Sequence, residues 1–256
     1  MSPLKLYYSS SKNNWGDRLS PVICQMLSGR EVVYAKPSKC DLIAIGSILS
    51  RIKESIFTKP INVWGTGFIK PVARHKTRHL IHAVRGKKSA GFFTNADIKT
   101  FGDPGLLCAK LLPNHKDIPK EFELGIIPHY KDRNLQSLHT FAKSNPGITI
   151  IDVFSDTIAF LEKLAKCRFV LSSSLHGLIA GDSLGIPNAW LKLSDNIIGG
   201  DFKFYDYYSI FDIPTPSPLT LNEFSSSKRG QIFETYSRPN LAVIKKSLID
   251  SFPFKK

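Results

Sequence analysis

Acidic residues are in short supply in this chain. Its 21 Asp and Glu face 35 Lys and Arg, for a formal net charge of +14. Such an excess suits nucleic acid, an anionic membrane face or anionic small substrates. The basic residues are dispersed, in groups such as Arg74, Lys76 and Arg78 or Lys245 and Lys246. No RRM, zinc-finger or helix-turn-helix pattern accompanies them, so nucleic acid is not expected as a partner. Anionic substrates and a loose peripheral contact with an anionic membrane account for the same charge. Cysteine is sparse too. Cys24, Cys40, Cys108 and Cys167 stand apart in apolar surroundings with no CxxC pair. Buried, reduced thiols are therefore expected rather than disulfides or zinc, and no metal site is expected. Long apolar runs are missing: none approaches the roughly 18 residues of a membrane span. The start, MSPLKLYYSSS, lacks an apolar h-region, which points to the cytoplasm. No GxGxxG supports a dinucleotide site, and no GxSxG elbow sits at a strand-to-helix turn.

What the chain does have is alternation. Leu4–Tyr8 reads as a strand, followed by a polar loop and a helix with Leu19, Val22, Ile23, Met26 and Leu27 at helical spacing. Further strands are expected at 31–35, 40–45, 61–64 and 80–84, then a helix around 88–94. After Pro113, Asn114 and Pro119 interrupt the pattern, it restarts. Strands are expected at 123–127, 148–153, 169–171 and 188–193, with helices at 135–144 and over Ile158, Leu161, Leu164 and Ala165. Strands that repeatedly run into small or polar loops are the βα signature of parallel sheets. The expected architecture is α/β: two βαβ-type halves around a cleft, with one continuous doubly wound sheet as the alternative. The expected division is an N-terminal domain over 1–115, a C-terminal domain over 116–215, and an irregular segment with a last helix over 216–256, packing back on the first domain.

The candidate chemistry collects at strand ends, where ligands gather on open α/β sheets. In CRFVLSSSLHGLIAGDSLGIP, residues 167–187, an apolar strand meets a serine triplet and then a helix. His176 and Gly177 fall on that strand-to-helix turn, whose free N–H groups favour anions. A helix start capped by Ser173 or Ser174, with a structural histidine, reads equally well. On the first βα loop, Asn14 and Asp17 either contact a ligand or form a turn with Asp17 as helix cap. Gly46-Ser47 and Gly65-Thr66-Gly67 permit close approach to the backbone. Arg85, beside Gly86, Lys87 and Lys88, suits carboxylate or phosphate, or is a solvated charge run. His129 either binds substrate or caps a loop, whereas His75, His79, His82, His115 and His139 are assigned to surface or packing. The segment 199–208, GGDFKFYDYY, either folds over a ligand with Lys203 meeting an anion or covers a core edge.

Taken together, these pieces resemble the polysaccharide pyruvyl transferase family. The matching residues are Asn14-Trp15-Gly16-Asp17, Gly46-Ser47, Gly65-Thr66-Gly67 and Val84-Arg85-Gly86 with Ser89. Gly102-Asp103-Pro104, Ile127-Pro128-His129-Tyr130, Ser172 to Gly177 and Ile186-Pro187 follow. The resemblance spans about residues 5 to 210 and is similar, at 200–208, to the branch that decorates bacterial exopolysaccharides. It implies two Rossmann-like halves in a GT-B-type arrangement and transfer of pyruvate from phosphoenolpyruvate to a sugar as a ketal. The acceptor would be a polysaccharide precursor, lipid-linked or free, and no cofactor is needed. His176 would then be the general acid/base, with Arg85 as anion clamp. Asn14, Asp17, Ser47, Lys88, His129, Ser173, Ser174 and Lys203 would contact substrate. One departure stands out: the family often has arginine two residues before the motif histidine, and here that position is Ser174. A nucleotide-sugar glycosyltransferase and a non-enzymatic basic binding module are the competing readings.

Overall fold

The computed structural model describes residues 2–255 except 13, 56, 198, 225–229 and 231. In chain order its elements begin with β1 (Leu4–Tyr7), α1 (Trp15–Ser28), β2 (Val32–Tyr34), β3 (Leu42–Ile43) and β4 (Asn62–Trp64). β5 (Leu80–Ala83), α2 (Lys87–Ala90), β6 (Phe122–Ile127), α3 (Gln136–Lys143) and β7 (Ile148–Ile150) follow. The chain continues through α4 (Thr157–Ala165), β8 (Cys167–Ser172), α5 (Leu175–Leu184), β9 (Asn188–Trp190), α6 (Phe202–Tyr208) and α7 (Leu241–Ser251). Two compact units result. The first comprises Met1–Gly105, Gly199–Thr215 and Pro239–Lys256; the second comprises Leu106–Ile198 and Pro216–Arg238.

The first unit holds a parallel sheet of order β2-β1-β3-β4-β5. Its strands are short and apolar because both faces are covered, as parallel sheets require. Ile43, Val63, Val84, Phe68 and Phe93 pack into one cluster beside Leu49 and Tyr7. α1 buries Trp15, Leu19 and Ile23, while Val22, expected on the same stripe, faces solvent. Asn14, not Asp17, is its N-cap: Asn14 Oδ1 accepts from Asp17 N at 3.2 Å, and Asn14 Nδ2 donates to Asp17 Oδ2 at 3.0 Å. The helix therefore starts before Asp17, and Gly29 in the left-handed region ends it. α2 is one turn long rather than reaching residue 94, because the chain turns at Gly91 to bury Phe93.

Two late segments are built into this unit. Residues 199–215 were expected with the second half, yet they contain α6, which buries Phe204, Tyr207 and Tyr208. α7 packs on the same unit: Trp64 Nε1 donates to Leu248 O at 2.9 Å, and Gly102 lies against Ile244 and Leu248. The expected tail 216–256 thus divides, with 239–256 in the first unit and 216–238 in the second. α7 buries Leu248 in that packing, while Val243 stays exposed. No helix among the described residues is long and apolar enough to cross a membrane.

The second unit holds a parallel sheet of order β7-β6-β8-β9. Leu124, Ile126, Leu138 and Leu171 form its core with Phe224 and Phe233. Asp156 caps α4 by accepting from Ile158 N at 2.9 Å. α5 lies buried on most sides, with Leu178, Ile179 and Ala180 inaccessible and the buried Asp182 paired to Arg238 at 3.0 Å. The architecture is therefore mixed α/β with two all-parallel sheets. All four cysteines are free and buried. Burial pushes the Cys40 thiol up to about 11 and that of Cys167 to about 12, so neither presents a thiolate near neutral pH.

Candidate active site

Sheet order itself selects the places to look. In the first unit the chain runs from β1 to β2 on one side and then crosses to β3 on the other, so the order reverses between β1 and β3. In the second unit the reversal falls between β6 and β8. Ligands of open α/β sheets bind outside the carboxyl ends of strands at such reversals. Asn14 and Asp17 follow β1, and Ser47 follows β3. His129 follows β6, and Ser173 to His176 follow β8.

At the carboxyl edge of the first sheet, the strand-end residues close into one buried network. The Arg85 guanidinium is wholly inaccessible. Its Nε donates to Asp206 Oδ2 at 3.0 Å, its Nη1 to Ser47 Oγ at 2.5 Å and its Nη2 to Phe68 O at 2.6 Å. Nη2 also lies 2.9 Å from Asp206 Oδ2. Asp206 in turn accepts from Ser89 N and Ser89 Oγ, each at 2.7 Å. The guanidinium is pressed so closely on Gly67 that a Cβ there would stand 2.6 Å from its central carbon. At Gly86 an added Cβ would fall 1.8 Å from Asp206 O, so only glycine lets α6 come this near. A charge expected at a ligand's disposal is instead neutralised inside the protein. Arg85 holds Ser47 in place and leaves that hydroxyl half-buried at the edge. Lys203 is buried on α6, over the Phe204 ring. Lys88 is exposed, and Asn14 and Asp17 are half-buried beside α1.

In the second unit the serine triplet divides its work. Ser172 Oγ lies 3.0 Å from Ile127 O and 2.7 Å from Ser174 O, tying β8 to β6. Ser173 Oγ accepts from His129 N at 2.8 Å and donates to Asp132 Oδ2 at 3.1 Å. Asp132, fully buried, also accepts from Ser194 Oγ at 2.6 Å and donates its own N–H to His129 O at 2.7 Å. Ser173 thus holds the backbone of His129 directly, and the buried Asp132 carboxylate joins Ser173 to Ser194. Ser174 is the N-cap residue of α5, but its side chain makes no capping bond. The first turn bears His176 as its second residue, half-buried. Gly177 is required here: a Cβ would meet Ser172 Oγ at 2.3 Å. His176 therefore lies one residue inside the helix rather than on the turn before it, because α5 begins at Leu175.

Asp206, Asp132 and Glu54 were not singled out by the sequence. Asp206 had a detectable signal: Phe204, Tyr207, Tyr208 and Phe211 recur at helical spacing, and Lys203 and Asp206 share a side of that helix. Asp132 had none, since it sits in an irregular turn. Two histidines assigned to packing have a measurable consequence. Burial lowers the pKa of both His79 and His82, with Glu54 partly opposing the shift at His79. Unfolded, both titrate near the ordinary 6.5. Below that value the unfolded chain binds more protons than the folded one, so stability is full above it and falls as pH drops below it. His82 Nε2 donates to Asn62 Oδ1 at 2.8 Å, an orientation fixed because Asn62 Nδ2 donates to Asp41 O. His82→Gln keeps a donor there and removes the titration. Its melting temperature should decline less between pH 7 and 5 than the wild type's, and an unchanged slope would count against this origin.

Comparison with known proteins agrees with the strand-end pattern. The family model described as polysaccharide pyruvyl transferase matches residues 2–195. Uncharacterized protein L143 of Acanthamoeba polyphaga mimivirus is 30% identical over 244 residues, covering 86% of this chain and 82% of its own. The succinoglycan biosynthesis protein ExoV of Rhizobium meliloti (strain 1021) is 24% identical over 205 residues, or 78% of this chain and 62% of ExoV.

Proposed function

Because the chain belongs to the polysaccharide pyruvyl transferase family, we propose that it moves a pyruvyl group from phosphoenolpyruvate to a saccharide and closes a ketal. The observation that carries the reading is His176 on the first turn of α5, half-buried at the order reversal of a parallel sheet. A proton must reach the methylene carbon of the donor, which builds oxocarbenium character at C2. A sugar hydroxyl then attacks C2 and loses its proton, inorganic phosphate departs, and a second hydroxyl closes the ring. One hydroxyl proton replaces the one delivered to carbon, and the other leaves with the phosphate. An imidazole suits both transfers because it exchanges protons near neutral pH.

The anionic groups of the donor need fixed positive partners. The first turn of α5 presents its dipole and backbone N–H groups to an anion. His129 is held beside it through Ser173. With the family arginine replaced by Ser174, these groups take the larger share of the anion. In the first unit Asn14, Asp17, Ser47 and Lys88 are the proposed substrate contacts. Arg85 and Lys203, both buried, act through position: Arg85 orients Ser47 and the backbone at Phe68. The name of the ExoV relative favours a polysaccharide precursor as acceptor, and the net charge of +14 favours an anionic or membrane-borne one. No cofactor is required by this chemistry, and the cytoplasmic side of a membrane is its proposed place.

Phosphate release from phosphoenolpyruvate should depend on an added saccharide acceptor, and the product should gain the mass of a pyruvate ketal. Consumption of a nucleotide sugar instead, across free and lipid-linked acceptors, would overturn the reading in favour of glycosyl transfer.

A further inference from the structure

The second unit carries a cleft of about 430 Å³ at the amino edge of its sheet, opposite the edge that bears His176. Lys120 stands two residues before β6, Arg168 is the second residue of β8, and Pro187 immediately precedes β9. His115, Lys116, Lys120 and Arg168 line the cleft, and none of its lining residues is acidic. Lys116 and Lys120 are exposed, the Arg168 side chain is 54% exposed and His115 is half-buried, so all four can reach a ligand. Two helices, α4 and α5, end beside it, which would turn negative dipole ends towards it. Their last carbonyls are already spent within the fold. Ala165 O accepts from Lys120 Nζ at 2.7 Å, Lys166 O from Glu121 N at 2.9 Å, and Gly181 O from Ile186 N at 2.9 Å. Lys120 keeps two further N–H donors. Partial burial lowers its pKa, with Cys167 opposing the shift and the neighbouring Arg168 charge adding to it. Crowding of that kind is relieved by an anion. Arg168 gives Nε to Glu123 Oε1 at 2.9 Å, which offsets its charge but leaves its Nη donors. His115 Nδ1 donates to Leu112 O at 2.9 Å, so Nε2 can accept from a P–OH or carry a proton towards an anion.

We propose that this cleft binds a small phosphate monoester, with its phosphate among Lys116, Lys120, Arg168 and His115. The donors come from separate side chains and reach in as point charges, which suits a tetrahedral set of oxygens. A carboxylate would favour the flat fork of an arginine, and here that fork is partly taken by Glu123. Charge points the same way. A phosphate monoester carries about −1.5 to −2 near neutral pH, matching the two lysines, which no carboxylate among the lining residues neutralises. A phosphodiester, as in a membrane headgroup, carries only one negative charge. The volume lies within the roughly 300–1,000 Å³ of small-ligand sites, so an organic group has room beside the phosphate, against the exposed Gly185 and the half-buried Pro187. The cleft lies at the other end of β8 from His176, so its occupation is separate from the proposed chemistry there.

The test titrates the full chain with methyl phosphate at low salt while following the His115 ring resonances, identified by their loss in His115→Gln. Methyl phosphate should shift them, and dimethyl phosphate should need at least about tenfold more to do the same, because it brings a single charge. Lys116→Gln should weaken the methyl phosphate effect about three- to tenfold, as loss of one charge-assisted contact does at an exposed site. Lys116→Gln with Arg168→Gln should weaken it further. Both positions are exposed, so the melting temperature should stay close to the wild type's. Lys143→Gln removes an equal charge from α3, outside the cleft, and should leave the shift unchanged. Absence of a shift, equal responses to the two phosphates, or an equal loss in Lys143→Gln would overturn the assignment. So would a response to phosphatidylglycerol vesicles in place of methyl phosphate, which would make the cleft a membrane contact. Ketal formation with no response at His115 overturns this site alone, and a response at His115 without ketal formation overturns the proposed reaction alone.

Discussion

Asp206→Ala should destabilise the first unit by about 3–5 kcal/mol, the usual cost of stranding one member of a buried ion pair. Arg85 and Asp206 are both wholly inaccessible, and Asp206 also holds Ser89 through two hydrogen bonds. Deleting the carboxylate leaves an uncompensated guanidinium beside Gly67, with only Ser47 Oγ and Phe68 O as partners. The melting temperature should fall by on the order of 10 °C. Replacing both partners at once, as in Arg85→Met with Asp206→Leu, should recover much of the loss, because it is the unpaired charge that costs most. A shift of only a degree or two in Asp206→Ala would show that the pair is not the anchor of α6. Arg85→Ala should resemble Asp206→Ala in stability. A stable Arg85→Ala protein with selectively weakened phosphoenolpyruvate binding would instead restore the direct anion-clamp role.

His176→Gln should reduce ketal formation by at least about a hundredfold, the lower end of what general acid–base catalysis contributes. The side chain is half-buried on the first turn of α5, and glutamine retains much of its size and hydrogen bonding. The variant should therefore melt close to the wild type and still bind phosphoenolpyruvate, because glutamine cannot shuttle a proton yet leaves the helix start intact. The decisive comparison is turnover against donor affinity. Normal turnover would remove His176 from the chemistry, and a large drop in melting temperature would mark it as structural.

The placement of His176 in the second unit needs little beyond local order. An apolar strand, a serine triplet and a helix already place His176 at a carboxyl edge, and the expected and observed strands differ by at most a few residues. That correspondence follows from period and burial: strands covered on both faces show as short apolar runs wherever they pair. Helix starts were less exact. The reciprocal bonds between Asn14 and Asp17 set α1 one turn earlier than a lone capping aspartate would, a choice made by side-chain geometry rather than residue type.

Sequence alone determined the parallel α/β character, the family and the strand-end placement of Ser47, Arg85, His129 and His176, because each depends on neighbours within a few residues. Tertiary structure decided what those side chains are able to do. Arg85 reads as an anion clamp until Asp206, 121 positions away along the chain, is brought against it. Ser173 reads as a cap until Asp132 and His129 meet it across β6 and β8. His79 reads as packing until Ile61 takes one nitrogen and the other is left buried without a hydrogen bond. In each case the partner is remote in sequence. Desolvation, which makes a buried charge or donor depend on that partner, arises only once the chain has folded around both.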